Sequence, residues 1–181
     1  MANQIDRIII RDAHYEDTDA IAQVHARSWQ HAYRGILSDH YLNHEVLAER
    51  TTMWRERMAT TPRERMFLQV AEDEYQLVGF VCVLLDEAPH WGAYLDNLHL
   101  LPHVQRRGLG RRLMAAAAGW VRTIDAAMPL HLLVFEQNHA ACQFYAACGG
   151  VVVERFEKAM PGGVVRPVLR YQWVEPAQII G

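Results

Sequence analysis

Two glycines and a cluster of arginines meet in Gln105-Arg106-Arg107-Gly108-Leu109-Gly110, with Arg111 and Arg112 directly behind. Before this stretch, Tyr94 to Leu101 is an apolar run dense in leucine that reads as a buried strand, and Pro102 stops it because proline cannot donate to a sheet ladder. After it, Leu109, Leu113, Ala116, Trp120 and Ile124 recur every three or four residues, the spacing of one helix face. The opening N–H groups of a helix lack intrahelical partners and sit at the positive end of its dipole, so they attract phosphate. Gly108 and Gly110 let an anion approach the backbone, and the arginines add positive charge. A diphosphate is the natural ligand. A tight turn with solvated arginines, or a basic patch for nucleic acid, would use the same residues. Two phosphate-binding patterns are excluded: there is no Gly-x-x-x-x-Gly-Lys-Ser/Thr, and Leu113 stands where a dinucleotide loop needs its third glycine.

Other reactive side chains point elsewhere. His40 and His44 stand four apart, but Tyr41 occupies the glutamate position of a zincin helix, and Pro102 breaks any helix joining His99 to His103. No metal site is expected. The three cysteines, Cys82, Cys142 and Cys148, cannot all pair, which fits reduced thiols and a cytoplasmic protein. A net charge of −3 disfavours bulk nucleic-acid binding. The N-terminus shows no apolar targeting region, and no apolar run nears the roughly 18 residues of a membrane span. With 181 residues, 51% hydrophobic and 22% charged, the chain reads as one globular domain over residues 1–181.

The elements that must position these groups follow in order. Ile8-Ile9-Ile10 is a short strand. A helix follows with acids Glu16, Asp17 and Asp19 near its start and Ile21, Val24, Ser28 and Ala32 as its stripe, ended by Gly35. A second helical region runs from about Ser38 to Ala59, and Pro62 closes it. Phe67–Ala71 and Leu77–Leu84 form a hairpin around Glu72-Asp73-Glu74. Beyond the strand-loop-helix unit come a strand at Leu130–Phe135, a helix at Asn138–Cys148 stopped by Gly149-Gly150, and strands at Val151–Glu154 and Val168–Trp173 around Pro161-Gly162-Gly163. The order is β-α-α-β-β-β-α-β-α-β-β, an α/β fold with a mixed sheet.

Gln-x-x-Gly-x-Gly directly after a strand resembles the signature of the GNAT superfamily of acyl-CoA-dependent N-acyltransferases. The element order extends that resemblance over nearly the whole chain. Asn138-His139-Ala140-Ala141-Cys142-Gln143-Phe144-Tyr145-Ala146-Ala147-Cys148-Gly149-Gly150 is similar to the family's second motif, Asn-x-x-Ala-x-x-Phe-Tyr-x-x-x-Gly-Phe, departing where Gly150 replaces an aromatic. Arg27 to Gly35 resembles a common bacterial subgroup.

The resemblance implies acetyl-CoA as cofactor, with CoA as product. Backbone groups of Leu98, His99 and Leu100 would hold the pantetheine arm as an added strand would. Gln105, Arg106, Arg107, Gly108, Leu109, Gly110 and Arg111 would hold the pyrophosphate, and Asn138 would stand near the arm while capping its helix. Tyr145 would protonate the departing thiolate, and Asp96 would take the amine's proton, with Tyr94, His99 or a water chain in reserve. Trp29, Tyr33 and Tyr94 would line the acceptor pocket, with Trp54 a further aromatic wall. The implied reaction is direct attack of an amine on the thioester without a covalent enzyme intermediate. The implied acceptor is a small molecule such as a polyamine, an amino acid or an amine-bearing antibiotic. A peptide N-terminus, a non-catalytic acyl-CoA module and an aminoacyl-tRNA acceptor stay as rivals, and monomer and homodimer are both open.

Overall fold

The structure, a computed structural model, describes residues 8–179, so residues 1–7, part of the stretch read for a targeting segment, lie outside it. Seven strands form one sheet: β1 (Ile9–Asp12), β2 (Met66–Glu72), β3 (Leu77–Leu84), β4 (Ala93–Leu100), β5 (Leu130–Phe135), β6 (Val151–Met160) and β7 (Val164–Trp173). Their order across the sheet is β1-β2-β3-β4-β5-β7-β6. Every neighbouring pair is antiparallel except β4 and β5, which are parallel. The helices are α1 (Thr18–Ala32), α2 (Asp39–His44), α3 (Val46–Thr60), α4 (Leu109–Ile124) and α5 (His139–Ala147). The element order expected from the sequence is thereby met, with one subdivision. The second helical region breaks at Glu45 into α2 and α3, and Ser38 caps α2 by accepting from the Tyr41 N–H. The break sends Leu42 and Val46 into a small core beneath the β6–β7 hairpin, with Tyr41, Ile36 and Val168.

β3 is buried along its full length, as an uninterrupted apolar strand at the centre of a covered sheet must be. α1 lies over β3 and β4 on one face, and α4 over β2, β3 and β4. The buried face of α4 is Leu109, Leu113, Met114, Ala117, Ala118 and Val121, rotated from the expected stripe; Ala116 and Trp120 are half-buried and Ile124 is exposed. In an alanine-rich helix several stripes satisfy the three-to-four spacing, and only packing selects one. Sequence reading likewise shortened the closing hairpin, whose strands continue to Met160 and from Val164. β6 is an edge strand, so its charged residues do not interrupt it.

Two irregularities in β4 position the site. β4 meets β5 only at Ala93–Leu130 and Tyr94–His131, after which the strands part. On its other side β4 pairs with β3, with a bulge: Val83 faces Leu95 and Cys82 faces Asn97, leaving Asp96 as the extra residue. Strict alternation would place Tyr94, Asp96 and Leu98 on one face. The bulge resets the phase, so Tyr94, Asp96, Asn97 and His99 all line one cavity while Leu98 does not. No helix among the described residues is long and apolar enough to cross a membrane.

Candidate active site

The arginine-glycine loop takes the shape its residue types suggested. After Leu100 the chain makes a short 3-10 turn at Pro102–Val104, and Gln105 reaches back to donate from Nε2 to the Leu100 carbonyl at 3.0 Å. Arg106 is left-handed at φ +59°, rare for a residue with a side chain, and Gly108 is left-handed at φ +83° as the N-cap of α4. A Cβ on Gly108 would meet nothing within 4 Å, so the loop opens outward there. The helix closes its first bond from the Arg112 N–H to the Gly108 carbonyl at 3.1 Å. The amides just before that bond are the ones a helix end offers to an anion. Leu109 contributes only backbone, since its side chain is fully buried. The Arg111 side chain turns away to the Ala147 carbonyl at 3.2 Å. Arg106 and Arg107 are exposed.

The register of β4 decides which backbone groups face the gap. The Leu101 N–H donates to the Val78 carbonyl at 2.8 Å, which makes those two a hydrogen-bonded pair. Antiparallel pairs alternate, so His99 with Phe80 is bonded, whereas Leu100 with Gly79 and Leu98 with Val81 are not. The N–H and C=O groups of Leu98 and Leu100 therefore point away from β3, towards the space β5 has left, with the Leu100 carbonyl already accepting from Gln105. That edge leads from the loop towards the cavity, where an amide-bearing arm can lie as an added strand. The backbone of His99 is directed into β3 instead, so its contribution to the site is its ring.

The cavity, of about 290 Å³, lies between α1, α3, β4, β5 and the tip of the β6–β7 hairpin. Trp29, Tyr33 and Tyr94 line it. Trp29 carries the Arg50 guanidinium over its ring at 4.7 Å, Tyr33 stands edge-on to Phe135 at 4.8 Å, and Tyr94 stacks on His131 at 5.0 Å. Burial pushes the Tyr33 phenol up to about 12. Trp54 is not a wall residue: it is fully buried and donates from Nε1 to His25 Nδ1 at 3.0 Å.

Asp96 is held rather than free. The Arg57 guanidinium and the Asn97 amide both reach its Oδ2 at 2.5 Å, leaving Oδ1 outside those bonds. The carboxylate expected to act as the base is thus in an ion pair with Arg57, itself a cavity residue. His99 presents the contrasting case. Its Nδ1 lies 3.1 Å from Ser28 Oγ, its ring stacks on His25 at 4.5 Å, and burial pushes its pKa down to about 4 despite the opposing charge of Asp96. His25 is pushed in the same direction by burial, then by His99 and nearby arginines. No spacing in the sequence pairs residues 74 apart, so the imidazole stack had no signal.

Tyr145 and Asn138 lie on the α5 side. Asn138 caps α5 by accepting from the Ala141 N–H at 3.3 Å. Tyr145 is buried against Tyr171 and Trp173, with ring centroids 6.0 and 6.2 Å away. Burial raises its phenol pKa, with the hydroxyls of Tyr33 and Tyr94 among the neighbours that add to it, so the group keeps its proton at neutral pH. Gly150 is explained by close approach: a Cβ there would stand 2.6 Å from the Trp173 ring, which fills the room an aromatic at 150 would need.

His40 and His44 are neighbours at 5.0 Å, but no three His, Cys, Asp or Glu side chains gather as a metal site among the described residues.

Similarity to known proteins agrees with this geometry. The chain is 32% identical over 143 residues to the uncharacterized N-acetyltransferase YuaI of Bacillus subtilis, covering 77% of this chain and 78% of that one. The PaiA N-acetyltransferase of Thermoplasma acidophilum, solved with coenzyme A, superposes with a TM-score of 0.73 at 20% identity, over 92% of this chain and 99% of that one. A point mutant of the spermidine N-acetyltransferase SpeG from Vibrio cholerae does so with a TM-score of 0.67 at 19% identity, over 97% and 98%. The model of the acetyltransferase (GNAT) family matches residues 21–150. The chain belongs to the GNAT acetyltransferase family and is an acetyl-CoA-dependent N-acetyltransferase.

Proposed function

We propose that this enzyme acetylates the nitrogen of a small-molecule amine held in the cavity between α1, α3 and the β6–β7 hairpin. The observation that carries the reading is the unpaired edge of β4, which joins an anion-binding loop to that cavity. When bound, acetyl-CoA supplies the reactive acetyl thioester. The amides around Gly108 hold its diphosphate, and the Leu98 and Leu100 backbone holds its arm. An N–H of that strand edge is placed to polarise a carbonyl lying beside it. The hairpin residues Lys158 to Pro161 close the cavity wall, which favours a compact acceptor over a peptide in an open groove.

Proton traffic is assigned to two side chains. With Nδ1–H donating to Ser28 Oγ, His99 carries its lone pair on Nε2 and takes the proton that the amine must lose. The depressed pKa keeps that imidazole unprotonated at neutral pH. Asp96, fixed by Arg57 and Asn97, orients the amine. Tyr145 returns a proton to the departing sulfur.

Thermal midpoints with acetyl-CoA, CoA and ATP, followed by a thiol-release assay on an amine panel, test this. Acetyl-CoA and CoA should raise the midpoint and ATP should have little effect. Tyr145→Phe should lower turnover about tenfold or more while the CoA-induced shift persists. No midpoint shift with either thioester or thiol overturns the cofactor assignment, and unchanged turnover in Tyr145→Phe removes that tyrosine as the acid.

A further inference from the structure

The charges on the cavity wall do not suit a polycation. Three cations line it, Arg50, Arg57 and Lys158, against one carboxylate, Asp96, which Arg57 already engages. Arg50 touches Glu49 through one terminal nitrogen, but its Nε is buried without a hydrogen-bond partner. Lys158 forms no ion pair among the described residues. The wall's buried donors tell the same story. His25 accepts from Trp54 on Nδ1, so as a neutral ring it carries its proton on Nε2. That Nε2 has no partner, and neither has Trp29 Nε1. Both residues line the cavity. Buried N–H groups left without acceptors are costly, and these two lie just behind the cavity wall. The wall therefore asks for negative charge beside Arg50 and Lys158, while Asp96, whose Oδ1 is outside the Arg57 and Asn97 bonds, lines the same cavity from β4.

Resting on the acetyltransferase reading above, we infer that the acceptor is an amine that also carries an anionic oxygen group, carboxylate or phosphate ester. That group is met by Arg50 and Lys158, and the amine by Asp96. An α-amino acid is the simplest molecule of this kind, and a polyamine is excluded by the same wall, which would repel its second and third charges.

The experiment is a thiol-release assay with acetyl-CoA on matched amines: the common amino acids, their carboxamides, phosphoethanolamine, ethanolamine and spermidine. Anionic amines should show kcat/KM at least about tenfold above their neutral partners and above spermidine, and the better of the carboxylate and phosphate series identifies the group. Lys158→Ala, an exposed position that does not threaten folding, should raise KM for the anionic amine and shrink its advantage over the neutral partner, with the KM for acetyl-CoA unchanged. Arg50→Gln should do the same more strongly. Carboxamides, ethanolamine or spermidine turned over as well as the anionic amines, or an advantage untouched by Lys158→Ala and Arg50→Gln, overturns the inference alone. No thiol release with any amine overturns the acetyltransferase reading and this inference with it.

Discussion

Asp96 and His99 stand three residues apart on one strand and receive opposite treatment from their surroundings. Asp96 is given a cation and an amide on one oxygen, whereas His99 is stripped of water and stacked on a second imidazole. A general base must present a lone pair without having first to lose a partner, which favours His99. His99→Gln should therefore lower kcat/KM about a hundredfold or more and abolish the acid limb of the pH–rate profile, which the wild type should show near pH 4. Asp96→Asn should raise KM for the amine while keeping that limb. The reverse pattern in the two profiles would return the base to Asp96. Trp29, Tyr33, Tyr94, Asp96 and His99 were visible in the sequence as reactive or aromatic types near the right elements, but the partners that set their behaviour were not. Arg57 and His25 reach them from α3 and α1, and a contact across 39 or 74 residues leaves no trace in local spacing.

At the level of elements, the strand-loop-helix unit was legible because its signals are local: Pro102 ends the strand, Gly108 takes a left-handed conformation, and α4 begins at once. The loop has a direct test. Gly108→Glu should abolish the CoA-induced thermal shift, through negative charge and bulk at the diphosphate and left-handed strain of about 1 kcal/mol. Gly108→Asn, which tolerates that conformation, should retain much of the shift. Survival of CoA affinity in the glutamate variant would move the diphosphate elsewhere. The β4 bulge escaped sequence reading for the opposite reason. Nothing in Leu95-Asp96-Asn97-Leu98 marks an extra residue, since the ladder on β3 creates it, yet it brings odd- and even-numbered side chains into one cavity. The division of the second helical region at Glu45 is similar: tertiary packing of Leu42 and Val46 ends a helix that its composition would have continued.

Across the whole molecule, buried histidines make stability fall in acid. Burial pushes His99 and His131 down to about 4 in the folded state, from about 6.5 for an exposed imidazole. As pH falls below 6.5 the unfolded chain takes up these protons first, so the stability they contribute is full above that value and is lost progressively towards pH 4. Urea midpoints should fall through that window, and His131→Gln should flatten the fall. A flat profile between pH 6.5 and 4 in the parent would contradict the burial of these rings. Strand count and order of elements could be read from the chain, but the parting of β4 from β5 could not, because it is a relation between two strands each of ordinary sequence. That parting leaves the sheet as two panels joined along a seam of two residue pairs. An arm held by the Leu98 and Leu100 backbone would lie in that seam, between the two panels. The wall of the cavity spans both panels, Tyr94 and His99 on one side and Leu133 and Phe135 on the other. An arm in the seam would therefore bear on both halves of that wall at once.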